Sequence, residues 1–303
     1  MGTKTKIEWC DHTWSPWRGC TKVSPGCANC YAEELAGRFG PSWGGWGKGA
    51  PRVPSKSWRE PMRWSEQAAV VNASEAVVGN PPIVPTVFPS LCDWLDPEVP
   101  VELLARFLAL IMGTPNLRWL LLTKRPELWR ERMEAVKAWH RANNEINIGV
   151  AQWVKNEVYP RNVWVGTSAE DQPRADERIP ALLRIPAAGR FLSCEPLLGP
   201  VDLEMALEDF QPLNADLSRK PSPVNWVIVG GESGAKARPC NVEWARSIVC
   251  QCAAAGVPCF VKQLGTNVRQ RVHSPRVHAS ENVTLRLTDR KGGDPAEWPE
   301  DLR

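Results

Sequence analysis

Six short apolar, β-rich runs recur along the chain, at Ile83–Phe88, Arg118–Leu122, Asn162–Gly166, Arg190–Ser193, Asn225–Val229 and Pro258–Val261. Their rhythm constrains the fold more than any other feature. Helical patterns lie between several of them, at Val101–Met112, Glu127–Asn143, Ala175–Arg184 and Val242–Ala255, the last closing on Gly256–Val257–Pro258 as a helix stop does. Strand and helix in alternation predict an α/β fold with a parallel sheet.

Polar residues gather just after these runs: Ser90 and Asp93, Thr123 and Lys124, Ser168 and Glu170, Cys194 and Glu195, Gly231 and Glu232, Lys262 and Gln263. A ring of such residues at strand C-termini is the reactive face of a barrel, so a partial or full (β/α) barrel is expected. A doubly wound sheet is the alternative, with its ligand at one crevice. The 303 residues, 43% hydrophobic and 23% charged, suit one barrel-sized domain. Residues 40–82 are rich in Gly, Pro, Trp and basic side chains and read as an insertion, and 266–303 lose the rhythm and read as a tail, leaving 1–265 as the barrel.

Met1 to Trp14 lack the apolar run of a signal peptide, and no stretch approaches the about eighteen apolar residues of a membrane span. The expectation is a cytoplasmic chain with no membrane partner. In a reducing compartment its ten cysteines are metal ligands, catalytic thiols or small core residues before they are disulfides. A net charge of +3 permits an anionic partner without requiring one.

Cys20-x6-Cys27-x2-Cys30 places three thiols within eleven residues, beside Gly19 and Pro25–Gly26, with Tyr31 following and a helical pattern over Ala32–Phe39. A structural zinc site would need a fourth ligand, and the chain offers Cys10 or His12 nearby. Three thiolates on a four-iron cluster leave one iron open to a small molecule. Three core cysteines beside Gly, Pro and Lys are the remaining reading, and they would make a poor core segment.

In these elements the chain resembles the phage-associated three-Cys-motif proteins, a radical-SAM-like family of unassigned function. The resemblance rests on Thr5–Lys6–Ile7–Glu8–Trp9, Gly19–Cys20, Cys27–Ala28–Asn29–Cys30–Tyr31, Asn162–Val163–Trp164–Val165–Gly166–Thr167–Ser168 and Ser193–Cys194–Glu195–Pro196–Leu197. It continues through Trp226–Val227–Ile228–Val229–Gly230–Gly231–Glu232–Ser233–Gly234, Val261–Lys262–Gln263–Leu264–Gly265 and Arg290–Lys291–Gly292–Gly293–Asp294. More distantly the chain is similar to spore photoproduct lyase, a radical-SAM DNA-repair enzyme. The resemblance implies a [4Fe-4S] cluster on Cys20, Cys27 and Cys30 and S-adenosylmethionine as second cofactor. It also implies an external electron donor and a three-Cys-motif partner protein. The loop departs from the usual C-x3-C-x2-C spacing between its first two cysteines.

On that implication Ser90 and Asp93 stand where the cofactor ammonium is bound, Thr123–Lys124 where its carboxylate is met, and Ser168 where ribose or carboxylate is contacted. Each of these residues would otherwise cap the turn or helix after its strand. Tyr31 is the aromatic beside the last cysteine. Gly230–Gly231–Glu232 resembles the superfamily's Gly-Gly-Glu motif but lies several strands too late, and reads with Glu195 as barrel-face chemistry. Cys92, in Ser90–Leu91–Cys92–Asp93, is within a residue or two of a lyase's hydrogen-donating thiol, with a buried structural thiol as the other reading.

The 16 Trp against 2 Tyr are first packing residues, although Trp also stacks on bases. From Trp43 to Trp64 four Trp alternate with Lys48, Arg52, Lys56, Arg59 and Arg63, a mixture able to stack bases and hold phosphates, or an ordinary solvated loop over packed Trp. Arg269, Arg271 and Arg276 add positive charge. Nucleic acid, DNA before RNA, is therefore the expected partner, and lyase-type repair or base modification the expected reaction. The alternatives are a radical-SAM enzyme acting on a small molecule or peptide, and a non-catalytic zinc- or cluster-stabilised nucleic-acid binder.

Overall fold

The computed structural model of the protein describes residues 5, 7–144, 147–155, 158–207, 224–274 and 279–302. Lys6 and Arg276 lie outside them. The chain divides into two compact units.

The first unit comprises Met1–Val23, Cys30–Gly166 and Ile185–Gly189. In chain order it carries β1 (His12–Thr13), β2 (Trp17–Cys20), α1 (Tyr31–Phe39), β3 (Gly45–Trp46), β4 (Val53–Pro54), α2 (Glu60–Val77) and β5 (Thr86–Phe88). It continues with α3 (Val101–Met112), β6 (Arg118–Thr123), α4 (Trp129–Ala142), α5 (Ile148–Val154) and most of β7 (Val163–Ser168). The second unit comprises Ser24–Asn29, Thr167–Arg184 and Arg190–Arg303. It carries α6 (Gln172–Leu183), β8 (Gly189–Cys194) beyond its first residue, α7 (Glu204–Leu207), β9 (Trp226–Gly230) and β10 (Cys240–Asn241). After these come α8 (Val242–Ala254), β11 (Cys259–Gln263), β12 (Val268–Ser274) and β13 (Ala279–Leu285).

Seven strands form one sheet in the order β1-β5-β6-β7-β8-β9-β11. The pairs β1/β5, β5/β6, β8/β9 and β9/β11 are parallel. Strand order rises with chain order throughout, which is barrel winding, whereas a doubly wound sheet reverses direction about its first strand. No pairing among the described residues joins β1 to β11, so the fold is a mixed α/β one of partial (β/α) barrel type. Two three-stranded sheets accompany it, β3-β2-β4 in the first unit and β10-β12-β13 in the second.

Local chemistry explains why these elements form. Helix α3 buries Leu103, Leu104, Phe107, Leu108 and Ile111, an i, i+3, i+4 stripe, and stops at Gly113. Helices α6 and α8 start at Asp171 and Asn241, whose side chains accept from the Arg174 and Glu243 amides. Strand β6, Arg-Trp-Leu-Leu-Leu-Thr, is buried over most of its length, as a parallel strand covered on both faces must be.

All six expected strands are present with ends shifted by a few residues, and α3 has the expected bounds. Several elements lie outside the expected pattern. Strand β1 has only two residues, too few to show a period. Helix α2 occupies much of the expected insertion and buries only Pro61, Trp64, Ser65 and Ala68, so its apolar stripe is too thin to stand out. The expected tail contains the antiparallel pair β12/β13, in register from Val268↔Leu285.

None of the sixteen tryptophans is exposed; eight are buried and eight half-buried. In the first unit, Phe107 is ringed by Trp14, Trp17 and Trp119 at centroid distances of 6.2, 5.9 and 5.4 Å. Among the described residues no helix is long and apolar enough to cross a membrane.

Candidate functional site

Within the first unit, Cys20 ends β2 and Cys30 precedes α1. The Cys20 thiol contacts the Thr21 carbonyl at 3.5 Å and receives Arg125 Nη1 at 3.7 Å. Burial, then the charge of Asp93, pushes it up to about 12, and the Arg125 guanidinium opposes that rise. A metal cation at such a thiol would invert the balance in favour of thiolate.

Asp93 is a junction between strand ends. Its Oδ1 accepts from Thr123 Oγ1 at 2.7 Å and the Leu95 amide at 3.0 Å, and its Oδ2 from the Lys124 amide at 2.9 Å and Arg125 Nη1 at 2.8 Å. Four donors occupy the lone pairs that would otherwise receive an ammonium group. Arg125 also donates to the Thr21 carbonyl. Asp93 and Arg125 thus tie the ends of β5 and β6 to the residue after Cys20.

Around this junction, Tyr31 is half exposed and its hydroxyl donates to the Ser90 carbonyl. Thr123 is buried and Lys124 half-buried. Cys92 bridges to Gly19 of β2, and burial, then Asp93, drives its thiol well above the ordinary range. It is protonated at neutral pH, as a hydrogen donor or a structural thiol must be.

The second unit contains Cys27, in a 3-10 turn over Pro25–Cys27. Ser24 Oγ is 3.8 Å from its sulfur and donates to Glu170 Oε1. The other Glu170 oxygen accepts from Arg178 at 2.8 Å, and both side chains are buried. Ser168 is fully buried, and its carbonyl accepts from the same guanidinium at 2.9 Å. Glu232 Oε2 accepts from Asn29 Nδ2 at 3.0 Å and from Arg238 Nε and amide at 2.9 Å each, and its Oε1 accepts from Arg238 Nη2 at 2.7 Å. Burial alone would raise this carboxyl, but the Arg238 and Asn29 donors hold it below the usual carboxylate range. Arg238 Nη1 reaches on to the Pro25 carbonyl at 2.8 Å.

Glu195 pairs with Lys262 at 2.9 Å. A Cβ on Gly230 would stand 2.5 Å from its Oε1, so a side chain there would displace the Glu195 carboxylate. Glu195 and Glu232, read together from the sequence, therefore have separate partners: Glu195 belongs to a strand-end ion pair and Glu232 to the cysteine loop.

The basic and aromatic segment also divides. Arg52 is buried, bonded to Asp96 at 2.8 Å and 3.4 Å from Glu98, and is an internal charge. Trp64 is buried with His12 stacked on it at 4.2 Å, and Trp58 lies under the Arg106 guanidinium at 4.0 Å. Trp43 and Trp46 stack at 6.1 Å, with Arg18 5.1 Å from the Trp43 centroid. Lys48, Lys56, Arg59 and Arg63 are exposed. A surface cavity of about 570 Å³ is lined by Arg52, Glu102, Arg106, Trp139 and His140 and includes none of the loop cysteines or the candidate cofactor-binding residues.

Sequence reasoning passed over Arg125, Arg178 and Arg238, and gave Asn29 and Glu170 no role. The available signal was an acidic residue two positions beyond a strand, since Glu170 follows Ser168 and Glu232 follows Gly230 at that spacing. Among the described residues no three His, Cys, Asp or Glu side chains stand together as a set able to hold a metal ion. All three loop thiols are free and half-buried, so in kind and number the donors fit an iron–sulfur cluster. The candidate fourth zinc ligands are a buried Cys10 and the stacked His12.

Residues 4–290 match a family described as Protein of unknown function (DUF5131). No curated protein and no solved structure matches the chain.

Proposed function

The chain belongs to the family described as Protein of unknown function (DUF5131), and from that premise we propose that it is a radical S-adenosylmethionine enzyme acting on nucleic acid. The observation that carries the reading is the loop Cys20–Cys30, with three free, half-buried thiols, in a chain whose partial-barrel strands end in polar residues. Cys20, Cys27 and Cys30 would hold three irons of a [4Fe-4S] cluster. Such a cluster, when bound, supplies the electron that cleaves S-adenosylmethionine to a 5′-deoxyadenosyl radical.

The chain's own residues would then bind and orient. Lys124 would meet the cofactor carboxylate, and Ser90 would offer it a hydroxyl. Asp93, taken up by four internal donors, would hold Thr123 and Lys124 in place instead of receiving the ammonium group itself. In a lyase-type repair Cys92 would give its S–H hydrogen atom to the carbon radical on the base, and one electron from the external donor with one proton would return the thiyl left behind to a thiol. Lys48, Lys56, Arg59 and Arg63 would contact phosphates, and a target base would leave the stack to reach the strand ends, at least cost where it is damaged or unpaired.

Anaerobic purification with iron and sulfide analysis tests the cluster. The expected result is brown protein with close to four irons, lost on changing any one of the three cysteines to Ala. Stoichiometric zinc without iron overturns the reading. The substrate is tested by following 5′-deoxyadenosine from reduced protein with ultraviolet-irradiated DNA, undamaged DNA, RNA or none. Equal product in every case, without deuterium exchange from labelled bases, removes nucleic acid and favours a small molecule or peptide.

A further inference from the structure

We infer that Glu170 and Glu232 are positioning residues for Cys27, gripping the two ends of the hexapeptide Ser24–Asn29 and setting where its thiol stands. The inference rests on the cluster reading for its purpose, and on the second unit alone for its geometry.

Glu170 and Glu232 each stand two residues beyond a strand, β7 and β9 respectively. Each is locked by its own arginine, Glu170 by Arg178 at 2.8 Å and Glu232 by Arg238 at 2.7 Å. Oxygens of each carboxylate also take a donor from the loop, Ser24 on Glu170 and Asn29 on Glu232. Asn29 donates as well to the Lys236 carbonyl at 2.9 Å, and Arg238 reaches Pro25. The loop is thus held on both sides of Cys27 by groups that are themselves fixed.

Gly26 supports this. A Cβ there would stand 2.8 Å from Glu170 Oε1, and Glu170 cannot withdraw because Arg178 holds it in a buried pair. A carboxylate bonded to both an arginine and a loop transmits the position of its strand end to the loop. Charged hydrogen bonds are strong enough to do so, and neither carboxylate needs to touch substrate.

The test compares wild type with Glu170→Gln, Glu232→Gln and Arg238→Lys in the full chain. Hydrogen exchange is followed on the metal-free protein in the peptide spanning residues 20–31. After anaerobic reconstitution, iron content, the electron paramagnetic resonance spectrum and the midpoint potential are measured. Both Gln variants are expected to keep the wild-type circular dichroism, to exchange the loop about tenfold faster or more, and to shift the reduced-cluster spectrum. Arg238→Lys, which keeps the charge and loses the fork, should fall between. Wild-type exchange in both Gln variants overturns the clamp, and so does a loosened loop with an unchanged spectrum and potential. Wild-type protein that takes up no iron overturns the cluster reading, and the exchange data then decide the clamp alone.

Discussion

Arg125 Nη1 lies 2.8 Å from Asp93 Oδ2, and both side chains are almost wholly removed from water. Desolvation alone would ease the proton off Arg125, but Asp93 and the neighbouring Cys20 sulfur raise its affinity overall. The pair therefore acts as one unit. Removing one partner strands the other charge, so Asp93→Ala is expected to cost about 3–5 kcal/mol in chemical denaturation. A cost under about 1 kcal/mol would mean that the junction is not structural.

Lys124→Ala separates holding the cofactor from holding the cluster. In the proposed enzyme it should weaken S-adenosylmethionine binding by about tenfold or more, as removing a charge-assisted hydrogen bond does, with iron content unchanged. Calorimetric titration reads the affinity; wild-type affinity would place the carboxylate site elsewhere.

Phe107 is the hub of the first unit's aromatic cluster and is fully buried. Phe107→Ala should lose about 3–5 kcal/mol, because the rigid indoles around it cannot collapse into the void. Thermal unfolding would show this as a clear drop in Tm, against little change for Val77→Ala on the exposed end of α2.

The Glu232 carboxyl gives a pH dependence of definite sign. Burial opposes its ionisation, but donors from Arg238 and Asn29 bring its folded value below the ordinary one. Its stabilisation is therefore complete above the unfolded value, about 4.3, and lost as pH falls through the lower folded value. The stability gap between wild type and Glu232→Gln should be widest at neutral pH and close in acid. A gap independent of pH would show that the carboxylate charge is not what holds Arg238.

If the exposed cations of the 48–63 stretch bind phosphates, Lys56→Ala combined with Arg59→Ala should weaken single-stranded DNA binding. The log–log salt slope should become shallower by about 0.7 for each phosphate that is no longer neutralised. Fluorescence anisotropy across a salt series measures it. An unchanged slope would move the strand to another surface. Arg52 does not belong in that series, because its loss would act through the buried pair with Asp96.

The alternation of strand and helix was legible in the chain because parallel strands buried on both faces are continuous apolar runs, and helices packed on them carry a wide stripe. Arg118–Thr123 and Val101–Met112 are such segments, and both lie close to where their periods place them. The cysteine loop was legible for a similar reason, since three thiols within eleven residues are a local spacing. Helix α2 was hidden because four buried residues in eighteen leave almost no period. The partners of the carboxylates were hidden for a deeper reason. Asn29 and Glu232 are 203 residues apart, and Thr123 and Asp93 are 30 apart, so no local pattern links them. Composition and order along the chain specified the barrel winding and the three thiols. Which carboxylate holds the loop, which ties two strand ends and which arginine is an internal charge depended on which side chains folding brought within hydrogen-bond reach, and that is a property of the packed chain.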